Sequence, residues 1–242
     1  MNIIKQIFNK CKNASLFYIS VFKSIVSHNS DKYSNTPGIV LGFDDYTPDT
    51  WEQYFDLFDK YGARVTFFVT GDSVTNFMFN AQNRGHEIGY HTITHPRLTE
   101  LSREQFFEET ISRVNLFREA GIELTSFAYP FGSYKSWMHA ALLKYYKIVR
   151  GFGGLRLYAK EEMKSGLIDS TTIDNICYMS EIKFQKLIMK VVKYAKKYGK
   201  IIGLTSHQIS DTDWGIKPER LEYILKKCQE YGLTFYRFKD FQ

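Results

Sequence analysis

From residue 38 onward, apolar positions alternate between short β-rich runs and longer stretches of helical period, which predicts repeated strand–helix units. Residues 38–43 form an apolar run that ends in the paired aspartates Asp44 and Asp45. Asp49-x-x-Glu52 reads as a capping box opening a helix to residue 61. A β-rich run at 64–69 closes on Thr70-Gly71, and a helix is expected over 73–84. A strand over 87–90 leads into a histidine-containing loop. Ser102-x-x-Gln105 caps a long helix to residue 120. Residues 126–130 form the next strand, 134–146 a helix and 148–150 a short strand. Residues 151–167, with four glycines, are the least regular part. A strand over 168–176, a helix over 181–198, a strand over 200–206 ending at His207, a helix over 218–231 and a closing run at 233–238 complete the pattern. About seven such units favour a (β/α) barrel over an open sheet, an α/β fold that keeps its chemistry on the loops after the strands.

The first 36 residues differ from the rest. Ile3, Ile4, Ile7, Phe8, Cys11, Tyr18, Phe22, Ile25 and Val26 follow a helical rhythm, interrupted near Asn13-Ala14-Ser15. The apolar run at 14–22 is far short of the roughly 20 residues needed to span a bilayer. Lys23 follows it at once and no small-x-small cleavage site is clear. Three readings stay open: a helix packed on the body, a basic interfacial membrane helix, or a poor signal sequence. The expected organisation is therefore a basic, amphipathic helical extension and linker over 1–36 and a barrel over 37–242. Residues 1–30 are the candidate for peripheral membrane contact, and a cytoplasmic or membrane-peripheral location is favoured.

Charge sharpens that division. The chain carries +6, of which residues 1–36 hold +4, leaving +2 for the remaining 206 residues. The barrel region has no nucleic-acid motif or basic patch readable in the sequence, so no nucleic-acid partner is expected. Cys11, Cys177 and Cys228 are unevenly spaced with no C-x-x-C, which indicates neither a disulfide framework nor a cysteine metal site.

Candidate chemistry concentrates in residues 85–96, which hold three of the six histidines. His91 and His95, four apart, can aim two imidazoles at one ion of the type that prefers nitrogen and oxygen ligands. Pro96 removes His95 from the right-handed helical region, which sets this pair apart from a helical H-E-x-x-H site. Asp44-Asp45 adds a carboxylate ligand and a second carboxylate beside it. These groups, Tyr129-Pro130-Phe131 and His207 all fall at predicted strand ends, on one rim.

Phe43-Asp44-Asp45, His91-Thr92-x-x-His95, Ala128-Tyr129-Pro130-Phe131-Gly132 and Thr205-Ser206-His207 resemble, in this order, motifs of the polysaccharide deacetylase family, the NodB-homology domain of carbohydrate esterases. Residues 66–71 and 85–89 also read like it, so the resemblance covers about residues 38–242. It implies a distorted (β/α) barrel that binds a divalent metal, usually zinc, and removes acetyl groups from N-acetylated sugars. Carried over by position, Asp45, His91 and His95 hold the metal, Asp44 is the general base and His207 the general acid. The Phe131 backbone N–H helps hold the oxyanion. Tyr46, Tyr129, Pro130 and Trp214 are assigned to the substrate side, and His86 to structure.

Departures from the family pattern carry information. Gly42 and Tyr46 stand where Thr and Gly usually flank Phe-Asp-Asp, Thr205 replaces an aliphatic residue, and the fourth motif is not recognisable. Ala128 replaces the arginine that orients the base aspartate in the family. Arg150, at the end of the next predicted strand, is expected to take over that contact with Asp44. The expected substrate is an N-acetylated sugar in a polysaccharide or a glycolipid intermediate. Two alternatives remain at this point: a related C–N hydrolase, such as a deformylase of a lipid-linked formamido sugar or a small cyclic amidase, and a non-catalytic carbohydrate-binding barrel.

Overall fold

The computed structural model describes residues 36–241 apart from residue 178. The expectations for residues 1–35, Cys11 and the 1–30 membrane contact among them, lie outside the described residues.

Seven parallel strands close into a barrel. They are β1 (Gly38–Phe43), β2 (Thr66–Val69), β3 (Glu87–Tyr90), β4 (Ser126–Ala128), β5 (Ile148–Phe152), β7 (Leu167–Thr172) and β8 (Ile201–Ser206), with β8 pairing back onto β1. Two further strands account for the distortion. β1 pairs with β2 only at Gly42 and Phe43, and β11 (Thr234–Tyr236) pairs with its lower half at Gly38 to Val40. In the same way β8 meets β7 at Leu204 and Thr205, while β6 (Leu157–Tyr158) pairs antiparallel with Ile201 and Ile202. Each splayed seam is thus filled at the N-terminal end of the barrel, which leaves the C-terminal rim open.

Around the barrel run α1 (Pro48–Glu52), α2 (Phe55–Lys60), α3 (Asn76–Asn83), α4 (Arg103–Thr110), α5 (Val114–Glu119), α6 (Ser136–Leu142), α7 (Lys160–Met163), α8 (Glu181–Tyr198) and α9 (Pro218–Glu230). The expected helix over 102–120 breaks at residues 111–113, although its capping box forms in full between Ser102 and Gln105. The proposed box at Asp49 does not form. Pro48 occupies the first helical turn, Thr47 is the N-cap without a side-chain cap bond, and the helix ends at Glu52 before α2 begins.

Strand alternation separates two cores. Phe67 faces the helices and stacks on Trp51, whereas Phe68 points into the barrel with Val40, Ala128, Ile148 and Ile168. Gly89 is required where Phe68 crosses the interior, because a Cβ there would lie 2.6 Å from its ring. The barrel floor holds a fully buried carboxylate. Glu87 accepts from Thr66, Thr125 and Ser126 hydroxyls and from the Lys239 backbone N–H. Cys228 is buried and Cys177 half-buried, both free. Among the described residues no helix is long and apolar enough to cross a membrane.

Candidate metal and acid–base site

The rim loops fold around one another through short-range polar contacts. After β1 the chain turns sharply at Asp45 and Tyr46, and Thr70 Oγ1 donates to the Asp45 carbonyl (3.1 Å). The loop after β3 is fixed by Thr92 Oγ1, which accepts from the His95 N–H (2.9 Å), and by Glu109 of α4, which accepts from the backbones of Ile93 and Thr94. All five described non-glycine residues in left-handed backbone conformation lie here: Asp45, Tyr46, Thr92, His95 and Phe131. Such conformations persist only where the surroundings over-determine them, and they cluster at functional sites. His95 thus leaves the right-handed helical region, as its place before Pro96 requires.

Three side chains converge. Asp45 Oδ1 lies 3.4 Å from His91 Nε2 and 3.3 Å from His95 Nε2. His91 Nδ1 sits 2.8 Å from the Ala128 carbonyl. A carbonyl only accepts, so Nδ1 donates to it and Nε2 is the atom turned toward Asp45. Burial, then the neighbouring His91, push the His95 pKa down and favour its neutral, ligating form. Burial opposes ionisation of Asp45, but the surrounding imidazoles, His91 first and then His207 and His95, hold its pKa down at about 2.

Beside this cluster, Asp44 is buried and its Oδ2 accepts from Arg150 Nη2 (2.5 Å) and, at 3.4 Å, from Thr205 Oγ1. Ala128 and Arg150 are register partners on β4 and β5, both turned into the barrel. The alanine methyl leaves room for the guanidinium, which also lies over the Phe68 ring. Five buried side-chain polar atoms lack partners among the described residues, and three of them are Asp44 Oδ1, Asp45 Oδ1 and Arg150 Nε. Buried polar atoms are nearly always satisfied, so this concentration marks where a ligand belongs.

His207 completes the rim. Its Nε2 lies 3.8 Å from Asp45 Oδ2, and its Nδ1 is 2.7 Å from Asp174 Oδ2. Burial lowers the His207 pKa, but the Asp174 hydrogen bond and the charges of Asp174, Asp44 and Asp45 outweigh it and raise it to about 9. Asp174 also accepts from Ser206 Oγ and the His207 N–H. Trp51 Nε1 holds the His207 carbonyl (2.6 Å) from the other side. Sequence reasoning missed both residues. The available signal for Asp174 was a lone acid on the rim end of the run Thr171-Thr172-Ile173.

The aromatic candidates separate. Trp214 is 58% exposed with its ring edge-on to His207, and Phe131 is 51% exposed against His95. The Phe131 N–H makes no hydrogen bond among the described residues. Tyr129 and Pro130, by contrast, are buried. Tyr129 stacks on Tyr134 and its hydroxyl meets His139 Nδ1, so this side chain builds the floor of the loop rather than a substrate-facing surface. The Tyr46 ring is half-buried against Trp51 and Phe77, with its hydroxyl on Thr75 Oγ1 (2.6 Å), which ties the first loop to α3. His86 is structural: it accepts from the Val65 N–H, and burial holds its pKa down at about 3.

Fold and site together define a parallel barrel with a carboxylate–imidazole cluster and paired acid–base groups on its C-terminal rim. Comparison with known proteins points to the same class. The model of the polysaccharide deacetylase family matches residues 31–147. The peptidoglycan-N-acetylmuramic acid deacetylase PdaC of Bacillus subtilis is 35% identical over 85 residues, 34% of this chain and 17% of that protein. A chitooligosaccharide deacetylase of Bradyrhizobium is 30% identical over 103 residues, 39% of this chain and 45% of that one. The matched stretches thus span less than half the length of these relatives. Among solved structures, the Xyl-CE4 domain of a multidomain xylanase from the Trinervitermes trinervoides hindgut metagenome shares the fold. Its TM-score is 0.60 at 20% identity, over 86% of this chain and 90% of that one. The chitin deacetylase of Colletotrichum lindemuthianum gives a TM-score of 0.60 at 17% identity, over 86% and 88%.

Proposed function

We propose that the chain is a metal-dependent hydrolase that removes the N-acetyl group from an amino sugar in a polysaccharide or a glycolipid intermediate. The observation that carries this reading is the buried, unpartnered Asp45 Oδ1 facing two imidazole Nε2 atoms, with a second free carboxylate oxygen, Asp44 Oδ1, beside it. One carboxylate and two neutral imidazoles are the donor set of a divalent ion with open positions, and zinc suits it best. Asp45, His91 and His95 would hold that ion. When bound, it supplies Lewis-acid polarisation of the amide carbonyl and acidifies water.

The remaining work falls to this chain's own groups. Arg150 fixes Asp44 through Oδ2, so Oδ1 is the oxygen that takes the proton from attacking water. The Phe131 N–H, turned out by its left-handed backbone, donates to the carbonyl oxygen as charge grows on it. His207, held by Asp174 at Nδ1, keeps a proton on Nε2 at neutral pH and delivers it to the departing amine. Phe131 and Trp214 flank the cluster as exposed rings on which sugar faces can rest.

Acetate release from a panel of N-acetylated oligosaccharides, with and without a chelator, tests the reading. Release that stops on chelation and returns with zinc is expected. No acetate from any N-acetylated sugar, or formate in its place from a formamido sugar, would replace it with one of the alternatives.

A further inference from the structure

Helix α8 carries chemistry that the site does not use. Its exposed side is formed by lysines: Lys183, Lys186, Lys190, Lys193 and Lys197 recur at helical spacing and fall within one narrow stripe, with Lys196 beside it. The 18-residue helix is about 27 Å long, and the stripe runs along most of that length. The helix has one carboxylate, Glu181, and Arg220 of α9 engages it at 2.9 Å. Along one edge of the stripe lie apolar groups. Ile182 is 68% exposed, and Met189 and Tyr223 line a shallow open groove with Gln185, Lys186 and Lys190.

The first described strand begins beside the end of this helix. The Gly38 N–H donates to the Lys200 carbonyl, just past the left-handed cap of α8 at Gly199. The segment carrying +4 over residues 1–36 therefore joins the barrel beside the last turn of this helix.

We infer that the α8 face docks the barrel on an anionic lipid surface. Every cation in the stripe is lysine. A compact, strongly hydrated point charge suits a diffuse negative field, whereas arginine supplies the planar fork that recognises individual phosphates. An exposed isoleucine with half-buried Met189 and Tyr223 along the edge of a lysine stripe fits an interface in which Ile182 enters the headgroup boundary and lysine stems lie along it. A nucleic-acid backbone gives such apolar groups nothing to bury them. The membrane contact expected of residues 1–30 would then have a folded counterpart on the barrel wall.

Vesicle co-sedimentation of the full chain tests this, with phosphatidylserine-containing vesicles compared with pure phosphatidylcholine. The triple variant Lys186→Gln, Lys190→Gln, Lys193→Gln should lose roughly a hundredfold in partitioning, at about fivefold per lysine, with its melting temperature unchanged. Removing three exposed lysines elsewhere, Lys144→Gln, Lys147→Gln and Lys164→Gln, should cost far less. Brominated anionic lipid should quench the added tryptophan of Ile182→Trp. Partitioning of the α8 variant equal to wild type, an equal loss in the control variant, or an unquenched Trp at position 182 would each overturn the inference. Tighter binding to duplex DNA than to anionic vesicles at the same salt would assign the face to a nucleic acid instead and also overturn it.

Discussion

The two ends of the barrel each bury carboxylates, and they treat them oppositely. At the floor, Glu87 is fully enclosed and both its oxygens are satisfied by four donors from β2, β4 and the C-terminal turn. Burial pushes its pKa up. At the rim, Asp44 and Asp45 each keep one buried oxygen without a partner, and Asp45 is pulled down to about 2 by three histidines. The floor carries no left-handed non-glycine backbone; the rim carries every described instance. A satisfied carboxylate holds a structure together, while an unsatisfied one amid strained loops is held ready for something else.

The largest effect should come from breaking the rim without disturbing the floor. Asp44→Asn removes the proposed base and should lower turnover by roughly 10²- to 10⁴-fold, with bound metal and melting temperature near wild type. Glu87→Ala should do the converse. It strands three hydroxyls and a backbone N–H in the interior and should cost about 3 kcal/mol of stability by denaturant unfolding, while the folded fraction keeps its activity. A Glu87→Ala protein that is stable yet inactive would erase the distinction between the two ends.

Arg150→Ala probes what aims the rim carboxylate. A charged hydrogen bond contributes about 1.5–3 kcal/mol, so turnover should fall roughly ten- to a hundredfold with metal content unchanged. Adding Ala128→Arg to that variant should recover part of the loss, since the two positions are register partners facing the same interior. A fully active Arg150→Ala enzyme would show that Asp44 needs no such support.

The smallest effect at neutral pH belongs to Asp174→Asn, and it should grow with pH. A general acid works only while protonated, and His207 keeps its proton up to about 9, so activity is lost as pH rises through that value. Removing the Asp174 charge takes away the leading cause of that rise. The alkaline limb of the turnover profile should then move down by about one unit or more. A limb that stays in place would separate His207 from the acid role.

Much of this was legible in the residues because it depends on local spacing. The strand at Glu87–Tyr90, the helix at Glu181–Tyr198 and the Ser102 capping box follow from periodicity and capping chemistry over a few positions. The convergence of Asp45, His91 and His95 follows once the two pairs sit at the rim ends of β1 and β3, two strands apart in a closed barrel. Less legible were features set by distant packing. Helix breaks at residues 53–54 and 111–113 interrupt stretches with good helical rhythm. Burial of Tyr129 depends on Tyr134 and His139 folding back over it. Asp174, Trp51 and Glu109 act on rim residues 15 to 156 positions away, and nothing in their local sequence announces those partners.

The central claim is that Asp45, His91 and His95 hold one divalent ion and that Asp44, its neighbour in sequence, does not. Elemental analysis of purified protein tests it directly. Wild type and Asp44→Asn should each carry about one ion per chain, whereas Asp45→Asn and the His91→Ala/His95→Ala double variant should carry none. Metal retained at wild-type level by the double variant, or lost from Asp44→Asn but kept by Asp45→Asn, would contradict the account.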